Sequence, residues 1–188
     1  MLLVGASGTN DGQGAAYIFR MNSGEWTQSA MMLPDDAADA GLGSSVLLHN
    51  DHAFIGAPGH ADGAGAVIVY RLSGNNWSEV SILTNPDTTS SNFGTSLAFD
   101  GNHLVVSAPQ REGGGIHVYE NDGSGWMHTA ELQSRQADER SAFGASLAIS
   151  DGHIFVGAPR HSAATGAVIV FSMDEESGEW MENSRLMP

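Results

Sequence analysis

The 188-residue sequence has no cysteine and no lysine. Without cysteine, neither disulfide bonds nor thiolate chemistry is available to the protein. Its seven cationic side chains are all arginine and stand against 22 acidic residues, which gives a formal net charge of −15. Such a surface repels phosphate backbones and anionic lipids, so we expect no nucleic-acid or membrane-surface binding. The acidity fits a strongly solvated protein or one that binds cations.

Long apolar runs are absent as well. The longest are strand-sized segments such as residues 66–70, far shorter than a membrane span. The apolar start, Met1 to Val4, has no basic flank and falls in register with a repeat, so we interpret it as a strand. A signal segment is thus not expected within this chain. No segment shows a sustained apolar period of 3.6 residues, which argues against helices.

Instead, the sequence repeats itself with a period of about 50 residues. Four markers recur in a fixed order. The first is an apolar residue followed by Gly/Ser-Ala-Pro/Ser, at residues 4–7, 55–58, 106–109 and 156–159. The second is Gly-Ala before a β-branched or aromatic run, at 14–17, 65–68 and 166–169, and degenerate at 115–118. The third is a tryptophan six residues before an apolar residue, and the fourth is Leu/Phe-Gly-x-Ser-Val/Leu at 42–46, 93–97 and 143–147.

Each repeat predicts four short strands. The first strands, at 45–49, 96–99 and 146–149, end at Asn-Asp or Asp-Gly turns, whose residues tolerate the positive φ of a tight hairpin. The second strand ends at Ala-Pro, because proline cannot donate to a ladder. Four-stranded units of this length are typical of β-propeller blades. We therefore predict an all-β fold of antiparallel blades: one repeat domain, 1–188, with a partial blade at 1–34 lacking its first strand and complete blades at 41–86, 92–133 and 142–188.

The paired motifs Phe-Gly-x-Ser-Leu-Ala at 93–98 and Val-Ser-Ala-Pro at 106–109, repeated at 143–148 and 156–159, resemble the FG-GAP repeat of integrin α-chains and of many bacterial surface and secreted proteins. The resemblance covers nearly the whole chain. It implies a β-propeller, usually of seven blades, that acts outside the cell or on its surface in adhesion or recognition.

In one respect the chain departs from that family. Many relatives carry an Asp-x-Asp-x-Asp-Gly calcium loop between the first two strands, whereas the hairpins here, at 49–52, 100–103 and 150–153, hold one carboxylate each. A calcium site needs six or more oxygen ligands, several of them charged. We therefore expect no cofactor and no metal site. Calcium binding remains an alternative, but the usual loop motif for it is absent. His52, His103 and His153 follow these turns in different blades, too far apart to share an ion, and are expected to be structural or exposed.

Candidate binding residues lie in two sets of loops. The loops after Ala-Pro and the connections from the fourth strand to the next first strand should share one face of the propeller, which carries ligand contacts in integrin-like propellers. Loops on a rigid scaffold are the usual place for recognition. The candidates are Asp35, Asp36, Asp39, His60, Asp62, Asp87, Arg111, Glu112, Asp138, Glu139, Arg160 and His161.

No catalytic motif is present. The recurring serine of Phe-Gly-x-Ser is predicted to start a strand, no Gly-x-Ser-x-Gly joins a strand to a helix, and the glycine-rich segments 8–14 and 113–115 lack a following helix and a lysine. We expect a non-enzymatic binding or adhesion module, extracellular or on a bacterial surface, that recognises a protein or glycan through one loop face. Two alternatives stay open: the propeller part of a secreted hydrolase or lyase, and a purely structural repeat.

The phase of the repeats adds an expectation about partners. Met1 aligns with His52, His103 and His153, so neither terminus supplies the first strand that the partial blade lacks. Exposed sheet edges invite pairing. We therefore expect either a homo-oligomer or a part of a longer propeller, with no nucleic-acid partner and no membrane insertion.

Overall fold

The computed structural model describes residues 1–33, 40–86, 90–111, 113–135 and 141–188. It divides into two compact units, Met1–Gly94 (unit 1) and Thr95–Pro188 (unit 2). Within the described residues the secondary structure is fifteen strands and two four-residue helical turns, so the all-β prediction is confirmed. The strands form four antiparallel sheets, one of three strands and three of four.

Unit 1 contains sheets 1 and 2, each built from consecutive strands in sequence order. Sheet 1 comprises β1 (Leu2–Gly5), β2 (Ala16–Asn22) and β3 (Glu25–Met32). Sheet 2 comprises β4 (Ser45–His49), β5 (His52–Ala57), β6 (Ala66–Ser73) and β7 (Asn76–Thr84), with the short helical turn α1 (His60–Gly63) between β5 and β6.

Unit 2 contains sheets 3 and 4, each built from four consecutive strands in sequence order. Sheet 3 comprises β8 (Leu97–Phe99), β9 (His103–Ala108), β10 (Gly115–Asn121) and β11 (Trp126–Leu132). Sheet 4 comprises β12 (Ser146–Ser150), β13 (His153–Ala158), β14 (Ala167–Met173) and β15 (Trp180–Leu186), with the helical turn α2 (His161–Ala164) between β13 and β14. The number of strands in each sheet matches the prediction; the arrangement of the sheets as a propeller stays a prediction.

Alternating side chains place an apolar layer between the two sheets of each unit. In unit 1, Leu3, Ile18 and Met32 of sheet 1 join Ile55 and Ile68 of sheet 2 in one buried cluster. In unit 2, the cluster contains Ile116, Val118 and Leu132 of sheet 3 together with Val156 and Ile169 of sheet 4. The apolar residues of the repeat markers thus form the core of each unit.

The tight hairpins follow the turn chemistry of their sequences. Asn50 joins β4 to β5 with φ of 52°, and Asp151 joins β12 to β13 with φ of 50°. Asparagine and aspartate adopt this left-handed conformation more readily than most residues, because their short side chains can bond to the local backbone.

All four sheets share a β-bulge that the sequence did not predict. The pairing of the third and fourth strands shifts by one residue at Ile18/Phe19, Val69/Tyr70, Val118/Tyr119 and Val170/Phe171. The extra residue on the fourth strand is Ser29, Val80, Thr129 or Asn183. Since four different residue types occupy the position, no composition signal marks it, yet the backbone repeats it in every copy.

Candidate functional site

In unit 1, the loop after Ala-Pro lies against the connection that follows the fourth strand. The carbonyl of Gly63 accepts hydrogen bonds from the backbone N–H groups of Ser91 (3.0 Å) and Asn92 (2.8 Å). The Ser90 hydroxyl donates to the carbonyl of Asp62 at 3.2 Å. Two candidate residues, the half-buried His60 and the exposed Asp62, therefore lie on a loop that its neighbour fixes by backbone bonds.

In unit 2, the loop after Ala-Pro lies against the connection that precedes its own sheet. The backbone N–H of Arg160 donates to the carbonyl of Ser141 at 3.1 Å, as the N–H of Gly59 donates to the carbonyl of Ala40 at 2.9 Å in unit 1. Arg160 itself is exposed, whereas His161, the first residue of α2, is buried. Of these two adjacent candidates, Arg160 is therefore open to a ligand from solvent, whereas His161 is largely shielded.

His161 belongs to a polar group at this end of sheet 4 that we name the Arg185 cluster: Ser134, Arg135, His161, Glu182 and Arg185. Nη2 of Arg185 donates to Oε1 of Glu182 at 3.0 Å and to the Ser134 hydroxyl at 3.2 Å. Its Nη1 lies 3.5 Å from Nε2 of His161. The backbone N–H of Arg135 donates to the other Glu182 oxygen at 2.9 Å.

The Arg185 cluster is well shielded from solvent. The side chains of Arg185 and Glu182 are only 15% and 13% exposed, so their ion pair is screened less than a surface pair. A cleft of about 330 Å³ opens beside them, lined by Arg135, Glu182, Asn183, Ser184 and Arg185. It presents guanidinium donors, carboxylate and hydroxyl acceptors, and a nearby imidazole, a set suited to hydroxyl-rich or carboxylate-bearing ligands.

A second polar group lies on sheet 3. The candidate Arg111 forms an ion pair with Glu131, which is paired across the strands with the fully buried His117. Nδ1 of His117 lies 3.1 Å from Nε2 of the exposed His128, so one ring must donate and the other accept. The His128 ring also contacts Tyr119 at 5.2 Å between centroids, and burial raises the pKa of the Tyr119 phenol above its usual value.

The hairpin turns carry aspartates at the opposite ends of the sheets. A hydrogen bond from the Arg71 side chain holds the pKa of Asp51 below its usual value. Burial acts to raise the pKa of Asp100, but hydrogen bonds from the backbone N–H groups of His103 and Asn102 outweigh it, and the pKa is lowered. These carboxylates therefore stabilise the hairpin end of their sheets, Asp100 within its turn and Asp51 through the neighbouring strand β6.

The repeat-equivalent histidines contact the same turns. Nδ1 of His52 lies 2.9 Å from Asp51, and Nδ1 of His103 lies 3.2 Å from Asp100. In the third copy, Nδ1 of His153 lies 2.8 Å from the backbone carbonyl of Asp151. Within the described ranges, no three His, Asp or Glu side chains come together in a way that could hold a metal ion.

Seven of the twelve candidate residues lie outside the described part of the chain: Asp35, Asp36, Asp39, Asp87, Glu112, Asp138 and Glu139. Of the other five, the structure brings only His161 into the Arg185 cluster. The sequence interpretation missed Arg185, Glu182 and Ser134. A signal for Arg185 was available, because alignment of the repeats places it where unit 1 has the apolar residues Met31 and Ile82.

Comparisons with known proteins leave the family open. No protein-family model matches the chain, and no curated protein matches it significantly. Over the residues that the structure describes, no helix is long and apolar enough to cross a membrane. The resemblance to FG-GAP repeats therefore rests on the sequence motifs.

Proposed function

We propose that the protein is a non-enzymatic binding module of the FG-GAP propeller type, acting at the cell surface or outside the cell. It recognises a protein or glycan ligand through the loops after Ala-Pro and the connections beside them. The observation that carries this proposal is the Arg185 cluster, where a candidate loop residue, His161, meets a charged pair beside a cleft.

The surrounding geometry supports a recognition role. Backbone hydrogen bonds such as Arg160 to Ser141 fix the loop against its neighbour, and a rigid loop loses little entropy when it binds. Five of the seven arginines belong to unit 2, but so do 13 of the 22 acidic residues, so net charge does not distinguish the two units. A preference for ligands with carboxylate or hydroxyl groups would come from the guanidinium groups that line the cleft.

The charge state of the carboxylates also favours binding over catalysis. Acid–base catalysis commonly uses a carboxyl whose pKa is raised toward neutrality. Among the described residues, the four aspartates with a clear shift, Asp51, Asp100, Asp122 and Asp174, all have lowered pKa values. A hydrogen bond from Arg71 is the main cause for Asp51, and hydrogen bonds within turns lower the other three. They remain ionised at neutral pH and act as hydrogen-bond acceptors.

The test is a glycan and protein array probed with the labelled protein, followed by titration of each hit. Arg185→Lys keeps the charge but loses the planar fork, and should weaken binding about tenfold. Arg71→Lys, at the hairpin end of sheet 2, is the matched control and should bind as the unaltered protein does. Equal effects of the two substitutions, or no binding partner on either array, would contradict the proposal.

A further inference from the structure

The outer face of sheet 4 contains a second, more apolar cleft of about 560 Å³, which we name the sheet 4 cleft. Its lining includes Ser146, Gly157, Gly166, Ala167, Val168 and Leu186. Gly157, Val168 and Leu186 of this lining lie on the face opposite the one that packs against sheet 3, since the alternate residues Val156 and Ile169 belong to the buried core of unit 2. Its volume is that of a typical ligand site.

The equivalent surface of sheet 2 is occupied by a segment of the same chain. Gly56 and Gly65, the counterparts of Gly157 and Gly166, lie directly under the Phe93-Gly94 pair. A Cβ on Gly56 would overlap with the carbonyl oxygen of Gly94, and a Cβ on Gly65 with that of Phe93. Phe93 forms a parallel bridge with Gly65 and is fully buried.

Two polar contacts fix that segment on sheet 2. The Ser45 hydroxyl donates to the carbonyl of Gly94 at 2.7 Å, and the N–H of Phe93 donates to the carbonyl of Ala64 at 3.2 Å. Gly94 has φ of 90°, a conformation that residues with a Cβ rarely adopt. The surface therefore selects a bulky apolar residue followed by glycine.

The same arrangement recurs on the other sheets. On sheet 1, Gly14 lies under Leu42, and on sheet 3, Gly114 lies under Phe143; in each case an added Cβ would overlap with the carbonyl oxygen of the covering residue. The covering glycines Gly43 and Gly144 have φ of 87° and 91°. Three of the four sheets thus bind a Leu/Phe-Gly pair in one geometry.

On sheet 4, no residue in the part of the chain that the structure describes covers the equivalent surface in this way. The nearest atom to a Cβ on Gly166 is the carbonyl oxygen of Pro159 at 3.5 Å, an ordinary contact, and the three atoms nearest to a Cβ on Gly157 belong to Ser146. Leu186 is 55% exposed, whereas its counterparts Leu83 and Leu132 are 6% and 8% exposed. A glycine inside a strand often marks the close approach of another backbone.

We propose that the sheet 4 cleft binds an extended peptide segment in which phenylalanine or leucine precedes glycine, as a repeat of this type presents it. The aromatic side chain fills the apolar part beside Val168 and Leu186. The peptide's phenylalanine N–H donates to the carbonyl of Thr165, the counterpart of Ala64, and the Ser146 hydroxyl donates to the peptide's glycine carbonyl. Backbone pairing supplies affinity and the aromatic pocket supplies specificity.

The test is titration of the isotope-labelled protein with a peptide of residues 141–147, Ser-Ala-Phe-Gly-Ala-Ser-Leu, monitored by amide chemical shifts. We expect saturable shifts at Gly157, Gly166 and Leu186 at low-millimolar peptide. Replacing the peptide's phenylalanine with alanine should weaken binding about tenfold, through loss of buried apolar area. Replacing its glycine with leucine should abolish binding, because the left-handed conformation is strained for leucine.

Matched substitutions in the protein separate this cleft from its occupied counterpart. Ser146→Ala should weaken peptide binding several-fold, and Ser45→Ala, on the covered surface of sheet 2, should leave it unchanged. The proposal is overturned if no saturable shifts occur, or if the peptide without phenylalanine binds equally well. It is also overturned if sedimentation shows that a second copy of the chain covers the cleft and excludes the peptide.

Discussion

Units 1 and 2 have the same strand order and the same bulges but differ at equivalent positions of the fourth strands. Met31 and Ile82 in unit 1 correspond to Glu131 and Arg185 in unit 2. The apolar pair is 45% and 44% exposed, whereas Glu131 is paired with Arg111 and Arg185 with Glu182. The same backbone position of the repeat therefore accepts either an apolar or a charged side chain.

A similar difference occurs on the third strands. His117 of unit 2 stands where Tyr17 and Ile68 of unit 1 and Ile169 of sheet 4 stand, and it is fully buried. After their first residue, a histidine, the second strands β5 and β13 keep small and apolar residues in both units. The comparison indicates that the second strands maintain the fold, while the third and fourth strands of unit 2 carry the polar chemistry.

The largest effect is expected where the two units are alike. Phe93→Ala in unit 1 and Phe143→Ala in unit 2 each remove a fully buried ring and should lower the free energy of unfolding by about 3–5 kcal/mol. Urea unfolding measures the change. Met127→Ala, at a 55% exposed position, is the control and should change stability by less than about 0.5 kcal/mol.

A milder substitution keeps this prediction testable if the alanine variants do not fold. Phe143→Leu introduces the residue that stands at this position in the first repeat, Leu42, and should cost about 1 kcal/mol. A loss of less than about 1 kcal/mol in both alanine variants would show that the buried rings contribute little to stability, and a large loss in only one variant would show that the two units differ.

The second prediction addresses the charged position itself. Arg185→Met leaves the shielded carboxylate of Glu182 without its ion pair and should destabilise the protein by about 1–3 kcal/mol. Ile82→Met, the equivalent change in unit 1, should cost less than about 1.5 kcal/mol. The double variant Arg185→Met/Glu182→Gln should recover part of the loss; no recovery would mean that Arg185 acts through packing alone.

Much of the fold, and little of the site, could be predicted from the sequence. The predicted first strand at 45–49 is observed as Ser45–His49, because a tight turn follows it and apolar residues precede the turn. Phe-Gly marks a position where the backbone needs a positive φ, and Ala-Pro marks the end of a strand. Both features depend on a few neighbouring residues, so they could be predicted from the sequence alone.

The Arg185 cluster was not predictable in the same way. Ser134, His161 and Arg185 come from three separate segments, and only the packing of a connection, a helical turn and a strand brings them together. The helical turn α1 was also missed, because Ala61 and Asp62 both adopt positive φ there, and alanine rarely does so. Contacts across segments depend on the tertiary structure.

The third prediction concerns the buried imidazole that distinguishes sheet 3. His117→Ile introduces the residue found in sheets 2 and 4 and removes the contact with His128. The remaining partner, His128, is exposed and can bind water instead, so stability should change by less than about 1 kcal/mol. A loss above about 2 kcal/mol in urea unfolding would indicate that the histidine pair stabilises sheet 3.

The smallest effect is expected at the hairpin aspartates. The pKa of Asp100 is lowered in the folded state, so its stabilising contribution is present above the unfolded value of about 3.9 and is lost as the pH falls through the folded value. Asp100→Asn should therefore cost less than about 1 kcal/mol at pH 7 and nothing at strongly acidic pH.

Asp51 of unit 1 provides the comparison. Its pKa is also lowered, chiefly by Arg71, but the carboxylate is 41% exposed. Salt screens such a pair, so any stability change in Asp51→Asn should shrink at high ionic strength, whereas the change in Asp100→Asn should persist. Thermal unfolding of both variants in low and high salt measures these stability changes. Equal salt dependence of the two would contradict the prediction that only the change in Asp51→Asn is screened.

The shared bulge also bears on how such a gene can change length. Two residues of the fourth strand that flank the bulge, such as His128 and Ala130, pair with neighbours on opposite faces, Tyr119 and Val118. Deletion of the residue between them, Thr129, would leave a regular ladder with every remaining side chain on its present face. The same deletion elsewhere in a strand would invert all the residues beyond it. Single-codon losses should therefore be tolerated at this one position of each repeat.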